Sequence, residues 1–354
     1  MTFGQETTLR VPNILFREKH MPSKKISFLP PESLKATFTV GALSETTDWG
    51  LLATGVPDAH KHTRGAGVTV AVLDTGGPNH IDVNGNLLAA INCSGTGTPD
   101  DNQGHGTHVA GIIAALENGI GVVGVAPEAK ILPIKVLDDS GRSGFAQIAQ
   151  GIRAAIQAKV DIINMSLGAP STPPDDFYTA VQEAHAAGII MVAAAGNDAG
   201  AVNWPARYDE VIAVSAIDNQ GSLANFSSHG DQVDFGAPGV NIYSTYLNNQ
   251  YAVLNGTSQA APFIAGVCAL LLAWTRAHPD LPQIKNSEDM LKALSKFTDS
   301  AGRLTDGQFG FGIPKFINAE LEDDQPAPVP EPAPVKPPTV TPVAPVNNNT
   351  TEPF

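Results

Sequence analysis

Three short strings place an aspartate, a histidine and a serine, in that chain order, in settings suited to nucleophilic catalysis: Ala71-Val-Leu-Asp-Thr-Gly76, Gly104-His-Gly-Thr-His-Val-Ala-Gly111 and Asn255-Gly-Thr-Ser-Gln-Ala-Ala-Pro262. A serine hydroxyl is a weak nucleophile. It attacks a carbonyl carbon when an imidazole takes its proton and a carboxylate holds that imidazole in the right tautomer. Asp74 closes an apolar run of strand length, where a carboxylate is costly without a partner. Alone it would read as a cap or a structural ion pair, and the two motifs downstream turn the reading toward chemistry.

Gly104 and Gly106 give the backbone close access around His105, at the start of an amphipathic segment. His105 is the expected base, and His108 the structural member of the pair. A metal reading fails on spacing, because the two histidines stand at i, i+3 with no intervening glutamate and no third ligand nearby. Ser258 opens a predicted helix, Ser258 to Ala277, where free N–H groups and the helix dipole favour developing negative charge. Pro262 is expected within the first turn, where its missing N–H costs little. A tetrahedral intermediate also needs donors for its oxyanion. Asn197, directly after the apolar run ending at Ala194, can supply one, and the Ser258 N–H a second.

These groups need a frame. Val68–Leu73, Ile131–Val136, Asp161–Ser166, Ile189–Ala194 and Val211–Ala216 read as strands, separated by helical patterns at His105–Leu116 and Phe145–Val160. Such alternation predicts an α/β fold: a three-layer, doubly wound, mainly parallel sheet flanked by helices. Asn241 to Leu254, with Asn248-Asn249 between two β-rich runs, reads as a hairpin placed just before the serine. Another helix is expected to begin at Ser287, acting as its cap.

The 354 residues carry a formal charge of −14, which repels polyanions, so nucleic acid is not an expected partner. Cys93 and Cys268 are the only cysteines, too few for a disulfide framework, and Cys268 sits in an apolar run. Asn13-Ile-Leu-Phe16 is followed at once by Arg17, Glu18 and Lys19, so no Sec signal is read, and a cytoplasmic location or a non-Sec release is expected. The best candidate for a membrane span, Phe263 to Trp274, falls short of the roughly twenty apolar residues required, so no membrane association is expected. Residues 1–43 read as a leader or short prosegment, 44–322 as the catalytic domain, and 323–354 as a Pro-rich disordered tail able to recruit a partner. The oligomeric state is open.

Together these motifs resemble the subtilisin-like serine peptidases, the subtilases, from about Ser44 to Ala319. The resemblance implies a serine endopeptidase with Asp74, His105 and Ser258 as its triad and Asn197 as oxyanion donor, acting on proteins or peptides. It implies that Ser166, Leu167 and Gly168 bind substrate as an added strand, with Gly141 and Gly144 on the opposite edge. Ala194, Gly196 and Asn203 would complete the pocket. By the same resemblance Trp204-Pro205 is a place for a cis peptide. A calcium site would be made by the Glu45 and Asp82 carboxylates, the Asn118 side chain and the carbonyls of Leu116, Ile120 and Val122. Such all-oxygen coordination suits that ion. Three departures stand out: Gln259 where relatives carry Met, Phe263 where many carry His, and a leader too short for a folded prodomain. Two other readings stay open, a processing peptidase restricted to one partner and a non-catalytic binding protein that keeps the fold.

Overall fold

The computed structural model describes residues 26–27, 36–39, 44–299 and 307–316, the first two stretches by their backbone. The expected tail and most of the expected leader lie outside them. The chain begins with strands β1 (Ile26–Ser27) and β2 (Ala36–Thr39) and helices α1 (Trp49–Thr54) and α2 (Val56–Ala59). Next come β3 (Thr69–Asp74), β4 (Ile91–Asn92), α3 (His105–Ala114), β5 (Lys130–Lys135), β6 (Arg142–Ser143) and α4 (Phe145–Ala158). They are followed by β7 (Ile162–Met165), α5 (Asp175–Ala186), β8 (Ile190–Ala194), β9 (Val211–Ile217) and β10 (Phe235–Pro238). The rest is β11 (Ile242–Tyr246), β12 (Gln250–Leu254), α6 (Thr257–Ala277), α7 (Ser287–Leu294), β13 (Thr298–Asp299) and β14 (Ile313–Pro314).

Seven strands form the central sheet in the order β10-β9-β8-β7-β3-β5-β4, and every pairing in it is parallel. Both faces are covered, which is why its strands read as unbroken apolar runs. Val70 and Val72 point into the core shared with α3 and α6, while Ala71 and Leu73 point into the core shared with α4 and α5. The predicted three-layer doubly wound fold is therefore the observed one, with strand and helix ends displaced by a residue or two. Both cysteines are buried and free.

Several local expectations change. The α7 cap is Asn286, whose side chain accepts from Asp289 N, whereas Ser287 Oγ accepts the Met191 N–H of β8 at 3.1 Å. Tertiary pairing outcompetes the local cap. Helix α5 is not announced by the sequence pattern: its buried positions Phe177, Ala180, Val181 and Ala184 are mostly small, so the apolar stripe is weak. Helix α6 has 21 residues and is long and apolar enough to cross a membrane, correcting the expectation that no segment reaches that length. Its apolar window is 78% buried inside the protein, as the central helix of one core.

Candidate active site

Asp74 is the last residue of β3, whose two neighbours β5 and β7 are reached by chain crossings in opposite directions. Strand ends at such a switch point leave a crevice where ligands meet parallel sheets. Helix α3 starts beside it. His105 Nδ1 lies 2.8 Å from Asp74 Oδ1, with both side chains buried. That close approach requires glycine at 106, because a Cβ there would stand 2.9 Å from Gly76 O and 3.3 Å from Asp74 Oδ1. Burial pushes the His105 imidazole down, but the charge and hydrogen bond of Asp74, with the charge of Asp101, outweigh it and hold the proton affinity above the ordinary histidine value. His105 Nε2 has no protein partner among the described residues. His108 differs: its Nε2 lies 3.1 Å from Ala252 O, and burial pushes its pKa down to about 3, so it stays neutral.

Ser258 is the second residue of α6 and is buried. Its Oγ donates to Ser166 O at 3.2 Å and makes no hydrogen bond to His105 in this state. Pro262 is the sixth helical residue, not a first-turn one as the sequence suggested. A helical N–H at 262 would bond the Ser258 carbonyl four residues back, and proline has none. Ser166 Oγ fills the role, donating to Ser258 O at 2.8 Å. The two serines thus hold each other reciprocally. Asn197 is fixed at the same helix start: its Oδ1 accepts from Thr257 N and Thr257 Oγ1, both at 2.9 Å. With the oxygen so held, Nδ2 has no protein partner among the described residues and is free to donate.

Ser166, Leu167 and Gly168 follow β7, and Ala194 ends β8 with Ala195 and Gly196 just beyond it, giving two neighbouring backbone walls. Asn203 lies between them: a Cβ on Gly168 would meet Asn203 Cβ at 3.2 Å, and one on Gly196, where φ is +118°, would meet Asn203 Nδ2 at 2.4 Å. The Asn203 amide donates to Asp198 Oδ2 at 3.2 Å. Trp204-Pro205 is cis. Gly141 and Gly144 flank β6, which pairs antiparallel with β1 in the register Ile26↔Ser143 and Ser27↔Arg142.

The calcium candidates also come together. Bridges Ser44↔Ile120 and Thr46↔Val122 lay the segment holding Glu45 along the loop from Leu116 to Val122. Glu45 Oε1 accepts from Asn118 N at 2.8 Å, and Asp82 accepts from Asn118 Nδ2 at 2.9 Å and Val122 N at 3.0 Å. Burial raises the Asp82 pKa, these hydrogen bonds oppose it, and the Glu45 charge adds to the rise. Among the described residues no three His, Cys, Asp or Glu side chains converge on a metal position, so any ion here relies on carbonyl oxygens.

Several residues besides the motif Asp, His, Ser and Asn hold the site together. Asp101, Thr75, Gln103 and Thr257 all bond to the segments that carry Asp74, His105 or Asn197. Lys135 is buried beneath them, donating to Thr75 O and to Asp139 Oδ1. A buried-strand lysine and an aspartate four residues ahead of the histidine were the available signals.

The class of protein is thus a doubly wound parallel α/β fold with a buried Asp–His pair at its switch point and a serine at the start of a facing helix. The subtilase family matches residues 65–312, and the chain belongs to that family. It is 48% identical over 231 residues to the "Thermostable alkaline protease" of Halalkalibacterium halodurans, covering 65% of this chain and 63% of that protein. It is 40% identical over 331 residues to the "Minor extracellular protease Epr" of Bacillus subtilis, covering 89% and 48%. With "Subtilisin Savinase" of Lederbergia lenta it shares 45% identity over 230 residues, covering 64% and 85%. The match thus spans less than two thirds of the first two relatives' own length.

Proposed function

We propose that the chain is a serine endopeptidase that cleaves proteins or peptides through an acyl-enzyme on Ser258. The observation that carries this reading is the buried 2.8 Å bond between His105 Nδ1 and Asp74, which leaves Nε2 as the proton acceptor. Rotation about the Ser258 Cα–Cβ bond hands its hydroxyl from Ser166 O to that nitrogen, a bond that forms or tightens when substrate is present. Ser258 Oγ then bonds to the scissile carbonyl carbon while His105 takes the proton. Asn197 Nδ2 and Ser258 N–H donate to the oxyanion. Collapse breaks the C–N bond as His105 protonates the leaving amine, and water, giving its proton to His105, releases the acid and restores Ser258. Asp74 stays ionised and stabilises the imidazolium. Labelling of the wild type by a fluorophosphonate, lost in Ser258→Ala and on denaturation, together with casein cleavage, tests the reading. Labelling without casein cleavage would favour a partner-restricted peptidase.

The leader supports a zymogen. β1 takes the edge strand β6 that the family resemblance assigns to substrate, and β2 adds antiparallel to β12, which leads into Ser258. An added strand satisfies edge donors and acceptors as a bound peptide would. Intact mass should show the leader lost from wild type and retained in Ser258→Ala.

Calcium fits the Glu45–Asp82–Asn118 loop, since two carboxylates meet there and all the donors available to an ion are oxygens. Asn118 would turn its amide oxygen inward, joined by the Leu116, Ile120 and Val122 carbonyls. The ion would supply charge neutralisation and loop order, outside the proton transfers. Chelation by EGTA should lower the Tm of the Ser258→Ala protein, and Asp82→Asn should abolish that response.

A further inference from the structure

We propose that Asp101 is a positioning residue for the base: one buried carboxylate ties the end of β3 to the first turn of α3 and places a second negative charge beside His105. The inference rests on the serine-peptidase reading above.

Helix α3 has Gly104 as its N-cap, which brings no side chain to satisfy the helix's free N–H groups. Asp101 supplies that function from outside the helix. Its Oδ1 accepts from Gln103 N at 2.9 Å, Gly104 N at 2.8 Å and Thr75 Oγ1 at 2.8 Å. Its Oδ2 accepts from Thr107 N at 2.8 Å and Thr107 Oγ1 at 2.6 Å. Thr75 follows Asp74 directly, and its hydroxyl also accepts Gly106 N at 2.9 Å. The strand end holding Asp74 and the helix turn holding His105 are thereby joined through Thr75 and Asp101. Gln103 adds a third tie, its Oε1 accepting His105 N at 2.8 Å.

The charges around the imidazole come from few elements. β3 brings Asp74, the loop brings Asp101, and α3 itself brings His108, which is neutral. β5 brings Lys135, already paired at 2.7 Å with Asp139, and the hairpin brings Tyr246, whose phenol burial keeps protonated. Asp101 has no ion-pair partner among the described residues, so its charge is felt by the base. Both carboxylate oxygens are ringed by donors. In Asp101→Asn an amide NH₂ must therefore face N–H or O–H groups, and the tie loosens on one side.

The test uses the full chain with a peptide substrate, kcat and KM measured across pH and active sites counted by titration. Asp101→Asn should lower kcat about 10- to 100-fold, the scale of a small misplacement of a base, and move the acid limb of kcat/KM to lower pH. Thr75→Val breaks the tie but keeps the charge, so kcat should fall with the acid limb unmoved. Wild-type kcat and an unmoved limb in Asp101→Asn would overturn the proposal. So would a reduced number of active sites in which each survivor behaves as wild type. The NMR titration of His105 in Ser258→Ala, with and without Asp101→Asn, reads the charge without turnover: an unchanged midpoint refutes it. A wild type that neither labels at Ser258 nor cleaves peptide would refute the peptidase reading instead, which the NMR arm does not depend on.

Discussion

Replacing Ser166 with alanine should expose the debt that Pro262 creates inside α6. Pro262 withholds the N–H that would bond Ser258 O, and Ser166 Oγ donates to that carbonyl at 2.8 Å while accepting Asn164 Nδ2 at 3.0 Å. Both serines are buried, so the orphaned carbonyl costs about 1–3 kcal/mol. The lost Asn164 bond adds about 1 kcal/mol, for a destabilisation of about 2–4 kcal/mol in all. Pro262→Ala restores a helical donor for Ser258 O. On that background the same serine substitution should cost at least about 1 kcal/mol less. Urea unfolding of the four proteins of this cycle, all carrying Ser258→Ala to prevent self-digestion, measures the coupling, since Ser258→Ala leaves the carbonyl in place. Additivity within about 0.5 kcal/mol would refute the claim that Ser166 stands in for the missing N–H.

Because His105 must be neutral to act as base and its pKa lies above the ordinary 6.5, activity should be lost as pH falls through a midpoint above 6.5, read from the acid limb of kcat/KM. A midpoint below that value would contradict the role of Asp74 as an ionised partner. Asn197→Ala should lower kcat about 10²- to 10³-fold, the effect known for removing one oxyanion donor in a subtilisin, with little change in KM. Gln259 is buried with no hydrogen bond to either amide atom among the described residues. Gln259→Met should therefore raise stability by about 1–3 kcal/mol, measured by urea unfolding. It should also make activity sensitive to peroxide, to which the natural chain should be resistant.

Much of the fold was legible because its causes are local in sequence. A strand buried on both faces must be apolar at successive positions, as Ala71 to Leu73 are, and a hairpin with two left-handed residues favours asparagine, as at Asn248 and Asn249. Helix α5 escaped notice because Ala180 and Ala184 bury little apolar surface, and its stripe is formed by contact with α4. At the site, Gly106 was readable as a close approach, but its reason, the Gly76 carbonyl oxygen 2.9 Å away from a would-be Cβ, lies 30 positions earlier in the chain.

Residue order alone determined the class of fold, the identity of the Asp, His and Ser motifs, and membership in one family. Only the tertiary structure decided how the partners are held: that Asp101 reaches back to Thr75, that Ser166 serves the carbonyl Pro262 leaves open, that Asn286 displaces Ser287 as a cap, and that β1 lies on β6. The physical reason is the range of the interactions. Periodicity and turn chemistry act between neighbours along the chain, whereas a buried donor or acceptor must be satisfied by whatever group the packed fold brings within about 3 Å, however distant in sequence.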